Sequence, residues 1–193
     1  MLSSDLKTVV APLTRIMTII WGAFISASVI YLFIAWIMFG QGQGTVVADA
    51  GATPSVLRPV FGVVGFLVVV GSIFMERYWF SGRAIMGKLS GSPAYEKIHP
   101  AQGGGKPSRE VFERLSDSEK KLVCLVPYFQ TGMIIIWAMR ETVAVLGLVL
   151  VILEKDFLVI IPFSLGAALL IAIKVPRPVA FLERVRGLPG ANI

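Results

Sequence analysis

The chain has 193 residues, 55% hydrophobic and only 16% charged, with a formal net charge of +6 and a mean hydropathy of +0.78. That much apolar residue excludes an ordinary soluble domain, and the frequent interruption of the apolar runs excludes a fibrous one, which leaves an all-α polytopic membrane protein. A single cysteine and a single histidine exclude an intramolecular disulfide and leave no usual ligand set for a metal.

Four segments are apolar and nearly free of charge: Ile16 to Phe39, Pro59 to Met75, Tyr128 to Leu153 and Phe157 to Ile173. Each approaches the roughly 20 residues that an α-helix needs to cross a bilayer, so four transmembrane helices are predicted. The second and fourth are short and are expected to extend by a turn into the interface. After the first segment, Val47-Ala48-Asp49-Ala50 has the small-x-small pattern of a signal cleavage site. The apolar run before it, about 24 residues, is far longer than the roughly 7 to 15 of a signal peptide, which predicts a retained anchor. Gly40-Gln41-Gly42-Gln43-Gly44 opens a flexible exoplasmic loop that ends at Pro59, where proline suits the first turn of a helix.

The second segment closes in Glu76-Arg77-Tyr78-Trp79-Phe80, an aromatic and charged cluster of the kind found at membrane interfaces. A cytoplasmic loop over 81–116 follows, and its Gly103-Gly104-Gly105 reads as a linker because no strand precedes it. Within the loop, Pro107 to Leu115 sets Val111, Phe112 and Leu115 on one face and Arg109, Glu110, Glu113 and Arg114 on the other, which predicts a short helix on the membrane surface. Ser116-Asp117-Ser118-Glu119 has capping-box spacing, so the third helix is expected to start in the cytoplasm, with a kink at Pro127. Glu154-Lys155-Asp156 leaves room only for a tight turn. The organisation predicted is a first hairpin over 1–80, the loop over 81–116, a second hairpin over 117–175 and a cytoplasmic tail over 176–193.

Charge asymmetry orients this arrangement. Lys7 and Arg15 precede the first segment, nine basic residues lie between the second and third, and Lys174, Arg177, Arg184 and Arg186 follow the fourth. These make 15 of the 18 basic residues, against only Arg58 and Lys155 at the opposite ends. The bias places both termini and the central loop in the cytoplasm of a bacterial cell membrane. It assigns the positive charge to an anionic lipid surface rather than to nucleic acid.

Aligning the tryptophans brings out an internal repeat. Ile16-Met17-Thr18-Ile19-Ile20-Trp21-Gly22-Ala23 lies over Gly132-Met133-Ile134-Ile135-Ile136-Trp137-Ala138-Met139 at an offset of 116 residues, with Ser26 over Thr142 and Leu32 over Leu148. A tandem duplication of parallel hairpins is the expectation.

Only the second copy carries charge, Arg140 and Glu141, near the midpoint of the third segment. A charge at that depth costs roughly 2.5 to 3.5 kcal/mol for Asp, Lys or Arg on insertion scales, so it is paired, neutralised or facing a polar path. The two side chains can cancel each other, or can serve separate partners about 100° apart around the helix. Small residues mark close helix approach: Gly22 and Ser26, Gly62 and Gly65, Ala138 and Ala144, and Gly147.

Glu141 followed by Gly147-Leu148-Val149 resembles the second helix of the rotary ATPase c subunit, or proteolipid, over about Ile136 to Leu150. That resemblance implies a proton-binding role for Glu141, and a four-span duplicated form is similar to the vacuolar-type proteolipids. The family's glycine-rich first helix is absent, and Arg140 puts a permanent cation beside the carboxylate, favouring its ionised state. The reading that follows is a non-enzymatic integral membrane subunit, without cofactor or metal. It has a scaffold or accessory role and a buried Arg140 and Glu141 network, in homo- or hetero-oligomeric assembly with other membrane subunits. The alternative is a proteolipid-like ion-translocating subunit.

Overall fold

A computed structural model describes residues 2–40, 56–91 and 111–188. The signal-like pattern, most of the exoplasmic loop, the glycine linker, His99 and the first half of the predicted surface helix lie outside the described residues. Every regular element described is helical. Helix α1 spans Ser4–Ala35 and runs into a π-helical turn, Trp36–Gly40; α2 spans Leu57–Trp79, α3 Gly82–Gly91, α4 Asp117–Val123 and α5 Val126–Glu154. A 3-10 turn at Phe157–Val159 leads into α6, Ile160–Ala172, and α7 covers Pro178–Arg186.

The all-α expectation holds, but the number of spans needs correction. Three helices are long and apolar enough to cross a membrane, Ser4–Gly40, Leu57–Trp79 and Asp117–Glu154, whereas the fourth apolar segment is shorter. Helix α6 has 13 residues, about 20 Å at 1.5 Å per residue, against a hydrocarbon core of about 30 Å. Its two ends explain the shortfall. Asp156 caps the 3-10 turn by accepting from Leu158 N at 3.0 Å, which delays the α-helix. Pro176 and Pro178 then stop it, since proline has no N–H to continue the ladder and turns the preceding residue away from the helical region.

The third helix is interrupted just before Pro127, at Cys124 and Leu125. Helix α4 ends at Val123 and α5 begins at Val126, placing Pro127 in a first turn where its missing N–H costs nothing. Helix α3, inside the predicted loop, was not foreseen. It is short, opens with Ser81 Oγ accepting from Ala84 N at 3.3 Å, and buries Ile85.

Contacts group the chain into two compact units, one drawn from Met1–Ile20, Met75–Ile134 and Pro176–Ile193, the other from Trp21–Phe74 and Ile135–Val175. The first unit is held by aromatic packing and by a helix cap. Phe80, Phe129 and Phe181 form a triangle with ring centroids 4.7 to 5.8 Å apart. The predicted capping box at Ser116 and Glu119 is formed, and Glu119 Oε1 also accepts from Ser3 N at 3.3 Å. Hydrogen bonds from Ser3 first, and then from Ser116, outweigh partial burial and hold the Glu119 carboxyl below its ordinary range.

A depressed carboxylate stabilises the fold above its unfolded pKa and loses that contribution as pH falls through the lower, folded one. Ser116→Ala should therefore cost about 1 kcal/mol and speed amide exchange at Glu119 and Lys120. In the unchanged chain the same loss of protection, taken relative to the intrinsic exchange rate at each pH, should appear only on acidification below the usual carboxylate range.

The second unit contains two apolar clusters. Ala35, Val151 and Ile160 pack with Leu32, Leu148 and Phe157, and Val143, Ala144 and Ala167 pack with Tyr31, Val68, Val69 and Phe163. At the α5–α6 turn, Lys155 adopts the left-handed conformation, φ 56°, the usual way to end a helix before a sharp reversal. Arg58 at the start of α2 reaches Glu154 at 2.6 Å and Asp156 at 2.7 Å across this turn.

Candidate functional site at the end of the short apolar helix

Arg140 and Glu141 both lie on α5, the most enclosed long helix: 44% of its apolar window is buried, against 11% for α1 and α2. Because successive residues emerge about 100° apart, the two neighbours reach different helices. Arg140 is 3% exposed. Its Nη1 donates to the Leu170 carbonyl on α6 at 2.8 Å, and its Nε approaches Ser72 Oγ on α2 at 3.5 Å. Ser72 is itself buried and gives its proton to Val69 O at 2.8 Å, so its oxygen is left as an acceptor toward the guanidinium. Glu141 is half-buried and its Oε1 accepts from the Tyr31 hydroxyl of α1 at 3.1 Å.

The Leu170 carbonyl needs a side-chain donor because of how α6 ends. In a continuing helix Lys174 N–H would take Leu170 O; here it bonds Ile171 O at 3.0 Å, and the following prolines prevent any further turn. The last carbonyls of a helix are unpaired in any case. In apolar surroundings each unpaired group costs several kcal/mol.

Three side chains supply donors. Arg140 takes Leu170 O, Trp21 Nε1 donates to Ile171 O at 2.9 Å, and Trp137 Nε1 donates to Lys174 O at 3.3 Å. The guanidinium also places a positive charge at the negative end of the α6 dipole. Trp137 is fully buried and packs on Phe24 at 6.2 Å. The two tryptophans are those equated by the 116-residue offset, and both serve the same helix end.

The small residues divide into two groups. A Cβ on Gly65 would sit 3.5 Å from Phe163, and one on Gly147 would come within 2.5 Å of Phe163 Cβ; Ala144 is fully buried. Gly22 and Gly62 face open space within 4 Å, and Ser26 and Ala138 are exposed. Among the described residues, no group of three or more His, Cys, Asp or Glu side chains is placed to hold a metal.

Tyr31, Ser72 and the two indole N–H groups were not singled out from the sequence as partners of the charged pair. The signal was present: each puts a polar atom into an otherwise apolar helix, where it must find a partner. No protein-family model, curated protein or solved structure matches this chain.

Proposed function

We propose that this protein is a non-enzymatic integral membrane subunit of a larger membrane assembly. Helix α5 is its internal framework, and α1 and α2 present the faces that meet other subunits. The observation that carries this reading is the contrast in burial between α5 and the two other long helices. Ile19 and Phe33 of α1, and Phe66 and Phe74 of α2, are each more than half exposed. Lipid alone satisfies such faces; a partner helix does so with better packing.

The basic N-terminal, central and C-terminal segments belong to one compact unit, which supports placing all three on one side of the membrane, the cytoplasmic side by their charge. Helix α6, too short to cross the hydrocarbon core by itself, leads the chain back toward that side, its early end made tolerable by Arg140, Trp21 and Trp137.

Cysteines introduced one at a time at Ile19, Phe33, Phe66 and Phe74, in a Cys124→Ser background, test the reading. Oxidation or a short bifunctional reagent in native membranes should crosslink at least one position to a second chain. Crosslinks at none of the four, with the protein fully inserted, would overturn it.

A second reading, proteolipid-like proton binding at Glu141, is favoured by one observation. The carboxylate meets the Tyr31 hydroxyl while Arg140 is directed to α2 and α6, so the adjacent cation is engaged elsewhere. A carboxyl that takes up a proton in the bilayer should react with a hydrophobic carbodiimide at acid pH and become protected as pH rises. Absence of labelling at every pH tested would eliminate it.

A further inference from the structure

Where the apolar part of α2 ends and that of α5 begins, the first unit carries an open groove of about 790 Å³ lined by Tyr78, Trp79, Lys88, Pro127, Tyr128 and Thr131, among others. Its aromatic walls are braced against each other. Trp79 and Tyr128 stack with ring centroids 5.3 Å apart. Each also bonds the other's main chain, Tyr128 OH to Trp79 O at 2.7 Å and Trp79 Nε1 to Tyr128 O at 3.3 Å. Their polar atoms are thus used internally, and the rings act as an apolar wall. Lys88 Nζ stands 5.9 Å from the Tyr128 ring centroid, a cation–π distance that holds the ammonium at the mouth of the groove. No acidic side chain lines it among the described residues.

We infer that this groove binds the phosphate-bearing headgroup of an anionic phospholipid. Tyrosine and tryptophan concentrate at headgroup depth, and a lysine without a lining carboxylate selects an anion. The anion abundant at that depth is lipid phosphate. The volume falls in the range of small-molecule sites and admits a headgroup, with the upper acyl chains along the aromatic wall. The inference rests on the membrane reading given above.

Native mass spectrometry of the full chain, delipidated in detergent and titrated with phosphatidylglycerol or phosphatidylcholine, tests it. Phosphatidylglycerol should bind about fivefold more tightly, the effect of one lysine on an anionic lipid. Lys88→Gln should abolish the preference and Lys88→Arg should keep it. Lys121→Gln, which removes an exposed charge away from the groove, should leave it unchanged. Equal binding of the two lipids, or a preference that survives Lys88→Gln, overturns the inference. Displacement of phosphatidylglycerol by millimolar inorganic phosphate also overturns it, by assigning the groove to a soluble phosphate. Membrane residence is scored separately by resistance to alkaline carbonate extraction. A chain that is stripped refutes the membrane reading, and a chain that stays but shows no lipid preference refutes this inference alone.

Discussion

Arg140→Ala is expected to lower the unfolding free energy in detergent by about 2 to 4 kcal/mol. Hydrogen bonds between helices in membranes average only about 0.6 kcal/mol, so the two bonds from Arg140 to Leu170 O and Ser72 Oγ account for the smaller part. The larger part comes from leaving the Leu170 carbonyl buried without a donor, about 1 to 3 kcal/mol, and from the void left by the side chain. Arg140→Lys should fall between, because an ammonium can reach one acceptor but lacks the planar fork that addresses two. Glu141→Gln should change stability by less than about 0.5 kcal/mol, since an amide oxygen accepts from Tyr31 as the carboxylate does.

Near-UV circular dichroism against denaturant orders the three variants, and an Arg140→Ala loss no larger than that of Glu141→Gln would refute the capping role. The exchange Arg140→Glu with Glu141→Arg should not restore what either change removes. The two residues serve different helices, so swapping them puts a carboxylate against the Leu170 carbonyl and a guanidinium against the Tyr31 hydroxyl.

Gly147→Ala is expected to cost about 1 to 3 kcal/mol, the typical penalty of an overpacked contact. In an open helical site the same change gains up to about 1 kcal/mol from helix propensity. Space decides the sign: a Cβ here would fall 2.5 Å from Phe163 Cβ and 3.0 Å from its Cγ. Because the nearer atom is at the root of the side chain, changing its rotamer cannot relieve the clash, and Phe163→Leu should not rescue the variant. Gly22→Ala and Gly62→Ala meet nothing within 4 Å and should be neutral or stabilising in detergent. Thermal midpoints of the three alanine variants, measured side by side, check the contrast. Should Gly147→Ala prove as stable as the other two, the close approach of α5 to Phe163 is refuted.

Periodicity and capping chemistry made much of the fold readable. The capping box at Ser116 and Glu119, the role of Pro59 in the first turn of α2 and the tight turn at Glu154-Lys155-Asp156 all follow from local rules and are present. The span count failed at Phe157 to Ile173 because composition counts apolar residues without noting where Asp156 and Pro176 start and stop the helix. Helix α3 was missed because three glycines and one serine among its ten residues leave only a short apolar stripe of Ile85, Met86 and Leu89.

In the site, the depth of Arg140 and Glu141 announced that they needed partners, but not which ones. Seven small residues looked alike in sequence, yet only Gly65, Ala144 and Gly147 lie against other helices of the chain, which depends on the rotation of each helix about its axis. The acceptors of Arg140, Trp21 and Trp137 are main-chain carbonyls of α6, and a backbone acceptor leaves no mark in the identity of the residue that carries it.

The way α6 is terminated also sets an order of events during synthesis. Trp21, Trp137 and Arg140 leave the ribosome before Leu170, Ile171 and Lys174, so a nascent chain that enters a bilayer as proposed holds an arginine at membrane depth before its acceptor has been made. An arginine at the centre of a lone helix opposes insertion by roughly 2.5 to 3.5 kcal/mol. In the membrane setting proposed above, lateral release of α5 into lipid is therefore expected to wait for α6, so that α5 and α6 leave the insertion machinery as a pair.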